Sequence, residues 1–337
     1  MATALELGTR YRTVVHTAPS VPFSSGNVQS VELPKGFLYK TIAVRLVGEY
    51  DGTAGSAFVG TELPLALIPK IEIIADGRKT LVAASAKDLY RLSHHMRGKG
   101  GELVPPASPT AANQPFTATF LIDLEAARMA MNNDSLFDPN PFEKVEFRVT
   151  WGTVLNIATV GAGSTIDTAN TSIQLQVLET TVGADRILFN KLISFDEISI
   201  SATSTALRVR VPRSGLLHGT LFRTERDAGA VDNIVNRITL QSDNTFNHTD
   251  SLVWLFLKHR NTIEYQLDGP GVGAANTGLV GYGFIDLTED GLMSSALNTL
   301  DLNALDYVLD VTRTSGVELV RMTSVFYEPI LVAAQPR

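Results

Sequence analysis

Along most of the chain, apolar and polar residues alternate with a period of two, or run apolar for several positions before a turn residue. Both patterns belong to strands, half-buried in the first case and fully buried in the second. In the first half, residues 28–33 alternate loosely and stop at Pro34, and residues 37–47 form a longer β-rich run. Residues 71–74 end at Asp76-Gly77, a tight-hairpin signal, and residues 80–83 follow it. Strands are predicted again over 116–124, 144–150 and 172–178. One stretch changes period. After Ser85, a suitable N-cap, Leu89, Leu92 and Met96 fall on one helical face, until Gly98, Gly100 and Gly101 end the helix. The second half predicts strands over 206–211, 216–222 and 237–240, then a turn at Asp243-Asn244. A helix over 250–259, with Leu252, Leu255, Phe256 and His259 near one face, precedes strands over 282–287, 304–312 and 318–327. Long connections fall at 98–112, 154–171 and 268–276.

The two halves repeat one plan. Val31-Glu-Leu-Pro-Lys-Gly returns as Val209-Arg-Val-Pro-Arg-Ser-Gly, and the segment from Ile68 to Gly77 returns from Val235. Lys87-Asp-Leu-Tyr-Arg-Leu returns at Asp250, Ile122-Asp-Leu at Ile285, and Val145-Glu-Phe-Arg-Val-Thr at Tyr307. The offsets are 178, 167, 163, 163 and 162. Five ordered matches at nearly constant spacing mark one domain-sized unit built twice. A length of 337 residues agrees with two domains. Strands never alternate regularly with helices, so the fold class is all-β, a sandwich or jelly roll in each half. The boundaries are placed at an N-terminal arm (1–20), a first unit (21–184) and a second (185–337), with the seam near 184–190. On this alignment Ile71 matches Ile238, Leu89 matches Leu252 and Asp123 matches Asp286.

Composition narrows the function classes. The chain is 44% hydrophobic and 19% charged, with a net charge of −7 and no block of either sign. That disfavours sequence-independent binding of nucleic acid, which needs a basic surface. There is no cysteine, so disulfides and thiolate metal sites are excluded. Residues 1–20 hold no apolar core of signal-peptide length, and no apolar run reaches the ~18 residues of a membrane span.

Candidate chemistry is sparse. His94 and His95 are adjacent on a helix, point about 100° apart and do not converge on a metal, so they read as a solvated or interfacial helix end. Gly161-Ala-Gly-Ser-Thr and Gly269-Pro-Gly-Val-Gly lack the following helix and lysine of a phosphate loop. Asp286-Leu-Thr-Glu-Asp-Gly is the best acidic cluster; calcium between acidic subunit edges is its functional reading, a strand end with an Asp-Gly turn its plain one. No Gly-x-Ser-x-Gly elbow and no carboxylate pair stands out. No catalytic, cofactor-binding or metal-binding residue is therefore assigned, and the chain is read as a non-enzyme.

The duplication carries a resemblance. Leu33-Pro-Lys-Gly-Phe-Leu-Tyr-Lys-Thr-Ile-Ala-Val-Arg-Leu-Val-Gly, Leu67-Ile-Pro-Lys-Ile-Glu-Ile-Ile-Ala-Asp-Gly, Gly283-Phe-Ile-Asp-Leu-Thr-Glu-Asp-Gly-Leu and Leu305-Asp-Tyr-Val-Leu-Asp-Val-Thr carry it. In order and length, the chain resembles the double jelly-roll major capsid proteins of tailless, internal-membrane-containing DNA bacteriophages, the corticovirus-like and tectivirus-like group. The resemblance implies two tandem eight-stranded jelly-roll barrels, each with a short helix between strands. It implies a pseudo-hexagonal homotrimer, neighbouring capsid trimers, vertex or minor capsid partners, and a virion made in the host cytoplasm. No cofactor and no direct contact with nucleic acid are implied. Beside the resemblance, the long connections 98–112 and 154–171 are read as surface loops or inter-subunit contacts. The arm, with Arg10, Tyr11, Arg12, Val14 and Val15, would dock on a neighbouring subunit or face internal membrane lipid. Two arginines there contribute only ~1 kcal/mol each. Leu252, Leu255 and Phe256 are expected on the buried side of the second helix, so that Phe256→Ala costs roughly 3 kcal/mol or more. The alternative is a glycan-binding or glycan-trimming protein of two β-sandwiches. It would use exposed aromatics, whereas Trp151 and Trp254 are placed in element interiors.

Overall fold

The computed structural model describes residues 13–60, 62–126, 135–159, 163–181, 187–243, 246–248, 252–267, 279–288 and 295–330. The first half supplies β1 (Thr13–Pro22), β2 (Val28–Glu32), β3 (Leu38–Asp51), β4 (Lys70–Ala75) and β5 (Lys79–Ala84). Helix α1 (Ala86–Arg97), β6 (Gln114–Asp123), β7 (Val145–Thr150) and β8 (Ser172–Thr180) follow. The second half supplies β9 (Phe189–Ser199), β10 (Ser204–Arg210), β11 (Leu216–Arg226), β12 (Val235–Ser242) and β13 (Leu252–Val253). It ends with α2 (Trp254–Tyr265), β14 (Tyr282–Asp286), β15 (Leu305–Val311) and β16 (Glu318–Pro329).

Strand order shows the duplication directly. In the first half the sheets run β1–β8–β3–β6 and β2–β7–β4–β5. In the second they run β9–β16–β11–β14 and β10–β15–β12–β13. Each of these pairings is antiparallel, and each strand takes the same place in both halves. Two facing four-stranded sheets with this crossing order form a jelly roll. One parallel bridge, Ile193 to Val82, joins β9 to β5 and so links the barrels into one continuous sheet.

Alternating side chains point inward and fill each barrel, and the first barrel's cluster continues across the seam to Leu221, Phe284 and Val325 of the second half. Ile42, Val44 and Leu46 of β3 meet Phe116, Ala118, Phe120 and Ile122 of β6 in one cluster. Phe222, Ile238, Leu240, Tyr307 and Leu309 fill the other, with the Phe222 and Tyr307 rings edge-on at 4.9 Å. The Asp76-Gly77 hairpin forms between β4 and β5 as predicted. Both residues have positive φ, 49° and 65°, which a tight turn of this hand requires.

Three sequence expectations need correction. The arm expected over 1–20 is a strand from Thr13 onward: β1 pairs along β8, and Ala18 and Val21 are buried in the barrel. Its pattern is hidden by prolines and by a register shift between Ala18 and Val21, which breaks the alternation. Residues 1–12, with Arg10, Tyr11 and Arg12, lie outside the described residues. The second helix begins at Trp254, because Leu252 and Val253 are held extended by pairing with Ile238 and Arg237. Leu89 therefore does not match Leu252, although Ile71 and Ile238 share one strand position and Asp123 and Asp286 another. Finally, β9, which starts the second barrel at the seam, has no counterpart among the predicted strands.

Candidate functional site

Helix α1 lies between the two barrels. Ser85 caps it, its hydroxyl accepting from the Asp88 N–H at 3.2 Å, and Gly98 ends it at a φ of 76°. Leu89, Leu92 and Met96 enter the first barrel's core. The opposite side carries Lys87, Asp88, Arg91 and His95, and it is equally buried, because the second barrel covers it.

This seam is polar. Arg223 on β11 brings its Nε within 3.0 Å of Asp88 Oδ1, and Lys87 Nζ lies 3.1 Å from Glu225 Oε1. Arg223 and Arg321 each approach Glu225 at 3.6 Å. Arg91 pairs with Glu62, whose other oxygen accepts from the Tyr282 hydroxyl at 2.5 Å. Burial would raise the Glu225 carboxyl, but Arg223, Lys87 and Arg321 together hold it below its usual range. Burial alone would lower Arg223, yet Asp88 first among its neighbours keeps it charged. Such buried ions persist only because opposite charges compensate each other's lost hydration. Beside them is a cleft of about 180 Å³, lined by Ser85, Lys87, Arg223, Glu225 and Arg321.

Of the two readings of His94 and His95, a solvated or an interfacial helix end, the solvated one is overturned: both are buried at the seam. His94 Nδ1 meets the Arg91 guanidinium at 3.1 Å. His95 Nδ1 donates to the Arg91 carbonyl at 2.9 Å, and its ring lies 5.7 Å from Phe284 and 5.8 Å from Tyr265. Among the described residues no group of three or more histidines and carboxylates is placed to hold a metal.

Helix α2 buries a different face from the one predicted. Trp254, Leu257, Lys258, Asn261, Thr262 and Tyr265 point inward. Lys258 pairs with Asp232 at 2.5 Å, and Asn261 both donates to the Phe284 carbonyl and accepts from its N–H. These polar anchors make the buried face unreadable as an apolar stripe. Leu255 and Phe256 are instead 53% and 73% exposed, and Ile263 is 79% exposed. The burial expected of Leu255 and Phe256 is thus overturned.

The remaining candidates fall only in part among the described residues. The Asp286 carboxylate accepts from Thr288 N–H at 2.8 Å and from the Tyr265 hydroxyl at 3.0 Å, with His218 at 3.6 Å. Burial would raise its pKa, but the contacts with His218 and Thr288 bring it below normal. Glu289 and Asp290 lie outside the described residues, as do Gly161 and residues 269–274. Ser164 turns its hydroxyl onto Ser56 and the Thr53 N–H rather than outward. Trp151 and Trp254, the aromatics a sugar platform would expose, are both 1% exposed. Sequence reasoning missed Arg223 and Glu225. Their signal was charge embedded at alternate positions of an otherwise apolar strand.

Solved structures share this architecture from end to end. The crystal structure of the STIV MCP matches with a TM-score of 0.74 at 15% identity, covering 96% of this chain and 100% of that one. This chain has the double jelly-roll fold. A structure of Sulfolobus Turreted Icosahedral Virus matches at 0.72 and 16% identity, over 96% of this chain and 94% of that one. The major capsid protein P2 from bacteriophage PM2 matches at 0.59 and 13% identity, over 96% and 99%. No family model matches the chain, and no curated protein matches it by sequence.

Proposed function

We propose that the chain is the major capsid subunit of an icosahedral virus, acting as a homotrimer. The observation that carries this reading is the end-to-end match of both barrels to major capsid proteins, with almost nothing left over on either side. Two near-equivalent barrels per chain give six per trimer, a pseudo-hexagonal tile suited to a flat facet. Its work is assembly: burial of surface between copies, with no bond made or broken. Neighbouring trimers and vertex proteins are its partners in the virion, and internal membrane lipid is the partner of residues 1–12. Synthesis takes place in the host cytoplasm. The net charge of −7 supports a shell that does not grip nucleic acid directly. Class averages from electron micrographs of the purified chain test the reading. Six-lobed particles of three copies are expected; single two-lobed particles at every concentration would overturn it.

A further inference from the structure

The duplicated plan gives each barrel a helix and an outer sheet face, and only half of these are matched within one chain. Helix α1 of the first barrel lies on the outer face of β9–β16–β11–β14. Helix α2 of the second barrel keeps Phe256 and Ile263 exposed, and Arg45 on the outer face of β1–β8–β3–β6 is exposed as well. Building on the capsid reading above, we propose that α2 of one copy docks on the β1–β8–β3–β6 face of a second copy. This contact repeats between chains the one that α1 makes inside each.

The register of the repeat predicts which residues meet. Ile71 lies opposite Ala84 as Ile238 lies opposite Leu252, so the N-caps Ser85 and Val253 correspond, and Ala86 corresponds to Trp254 in two helices of twelve residues each. Lys87, Asp88 and His95 then correspond to Leu255, Phe256 and Ile263. The sheets align independently: Thr41 lies opposite Asp123, as Gly219 lies opposite Asp286. That places Val47, Arg45 and Leu121 at the positions of Glu225, Arg223 and Phe284.

Three contacts inside the chain therefore translate into three between chains, and the chemistry changes on both sides together. The Lys87–Glu225 ion pair becomes Leu255 against Val47, apolar on apolar. The Asp88–Arg223 pair becomes Phe256 against Arg45, a ring beneath a guanidinium. The His95–Phe284 contact becomes Ile263 against Leu121. Val47 and Leu121 are only half-buried in the single chain, which leaves them available. The outer edge of β1, unpaired among the described residues, fits the same operation, since its counterpart β9 receives β5 along that edge. The contact is head-to-tail, so it closes into a ring when the rotation between copies divides a full turn.

The chain has no cysteine, so single cysteines report proximity cleanly. Copies carrying Val47→Cys and copies carrying Leu255→Cys, differently tagged and co-expressed, should cross-link with a short bis-maleimide, whose reach matches the Lys87–Glu225 side chains that these positions replace. A Val28→Cys partner, on the opposite sheet, should not cross-link with Leu255→Cys. Phe256→Arg, which sets like charge against Arg45, should release monomers with unchanged circular dichroism, while Phe256→Asp, which recreates the Asp88–Arg223 pairing, should retain assembly. If the wild type assembles but Val47 and Leu255 do not cross-link and Phe256→Arg assembles normally, this contact is wrong and the capsid reading stands. A wild type that stays monomeric at all concentrations removes both.

Discussion

At the scale of single residues, the seam ions and the helix faces make separable predictions. Phe256→Ala should leave the stability of the isolated subunit within about 0.5 kcal/mol, because its ring is largely in solvent. Leu257→Ala, one position on and buried, should cost roughly 2–5 kcal/mol in denaturant unfolding. Asp88→Ala should cost roughly 3 kcal/mol, since it leaves Arg223 buried beside a lost counter-charge, while Asp88→Leu combined with Arg223→Met should recover most of that loss. Glu225 sets a pH dependence. Its folded pKa is depressed, so the stability it contributes is complete above its ordinary 4.5 and is lost as pH falls through the lower folded value. Glu225→Gln should therefore be less stable than wild type at neutral pH and should show a shallower acid limb. An unchanged acid limb would show that the Arg223, Lys87 and Arg321 contacts do not hold this carboxylate.

At the scale of elements, what was legible followed from local periodicity. The β4–β5 hairpin, β6, β7 and β8 could be read because their inward faces are apolar and their outward faces polar. Helix α1 could be read from Ser85, Gly98 and the Leu89, Leu92, Met96 stripe. Helix α2 was predicted over 250–259, but its start and buried face could not be read, because that face carries polar side chains that only tertiary partners satisfy: Lys258 with Asp232, and Asn261 with the Phe284 backbone. Strand β1 was hidden by a register shift and by pairing with β8, far away in sequence. Two changes test these elements. Removing residues 1–12 should leave the barrels folded, whereas removing residues 1–22 strips β8 of an edge partner and should lower the melting temperature measurably. Gly98→Ala should cost at least ~1 kcal/mol, since φ is positive there. A Cβ would also stand 2.7 Å from the Tyr265 carbonyl, forcing the ends of the two helices apart.

At the scale of the whole molecule, the repeat explains both halves of the account. One barrel buries its helix on its neighbour within the chain, and the same plan leaves one helix face and one sheet face exposed. The duplication itself was legible from the sequence: four of the five ordered matches fall on corresponding strands, and only the match of Lys87 to Asp250 does not hold. The proposed assembly face was not, because Leu255, Phe256 and Ile263 look like core residues until the helix register is known. The central claim, a duplicated subunit that closes with two further copies, is tested most directly by the solution mass from light scattering during size exclusion. The account predicts one species at three times 36.4 kDa. A monomer that persists on concentration, or a stable dimer or tetramer, would contradict it.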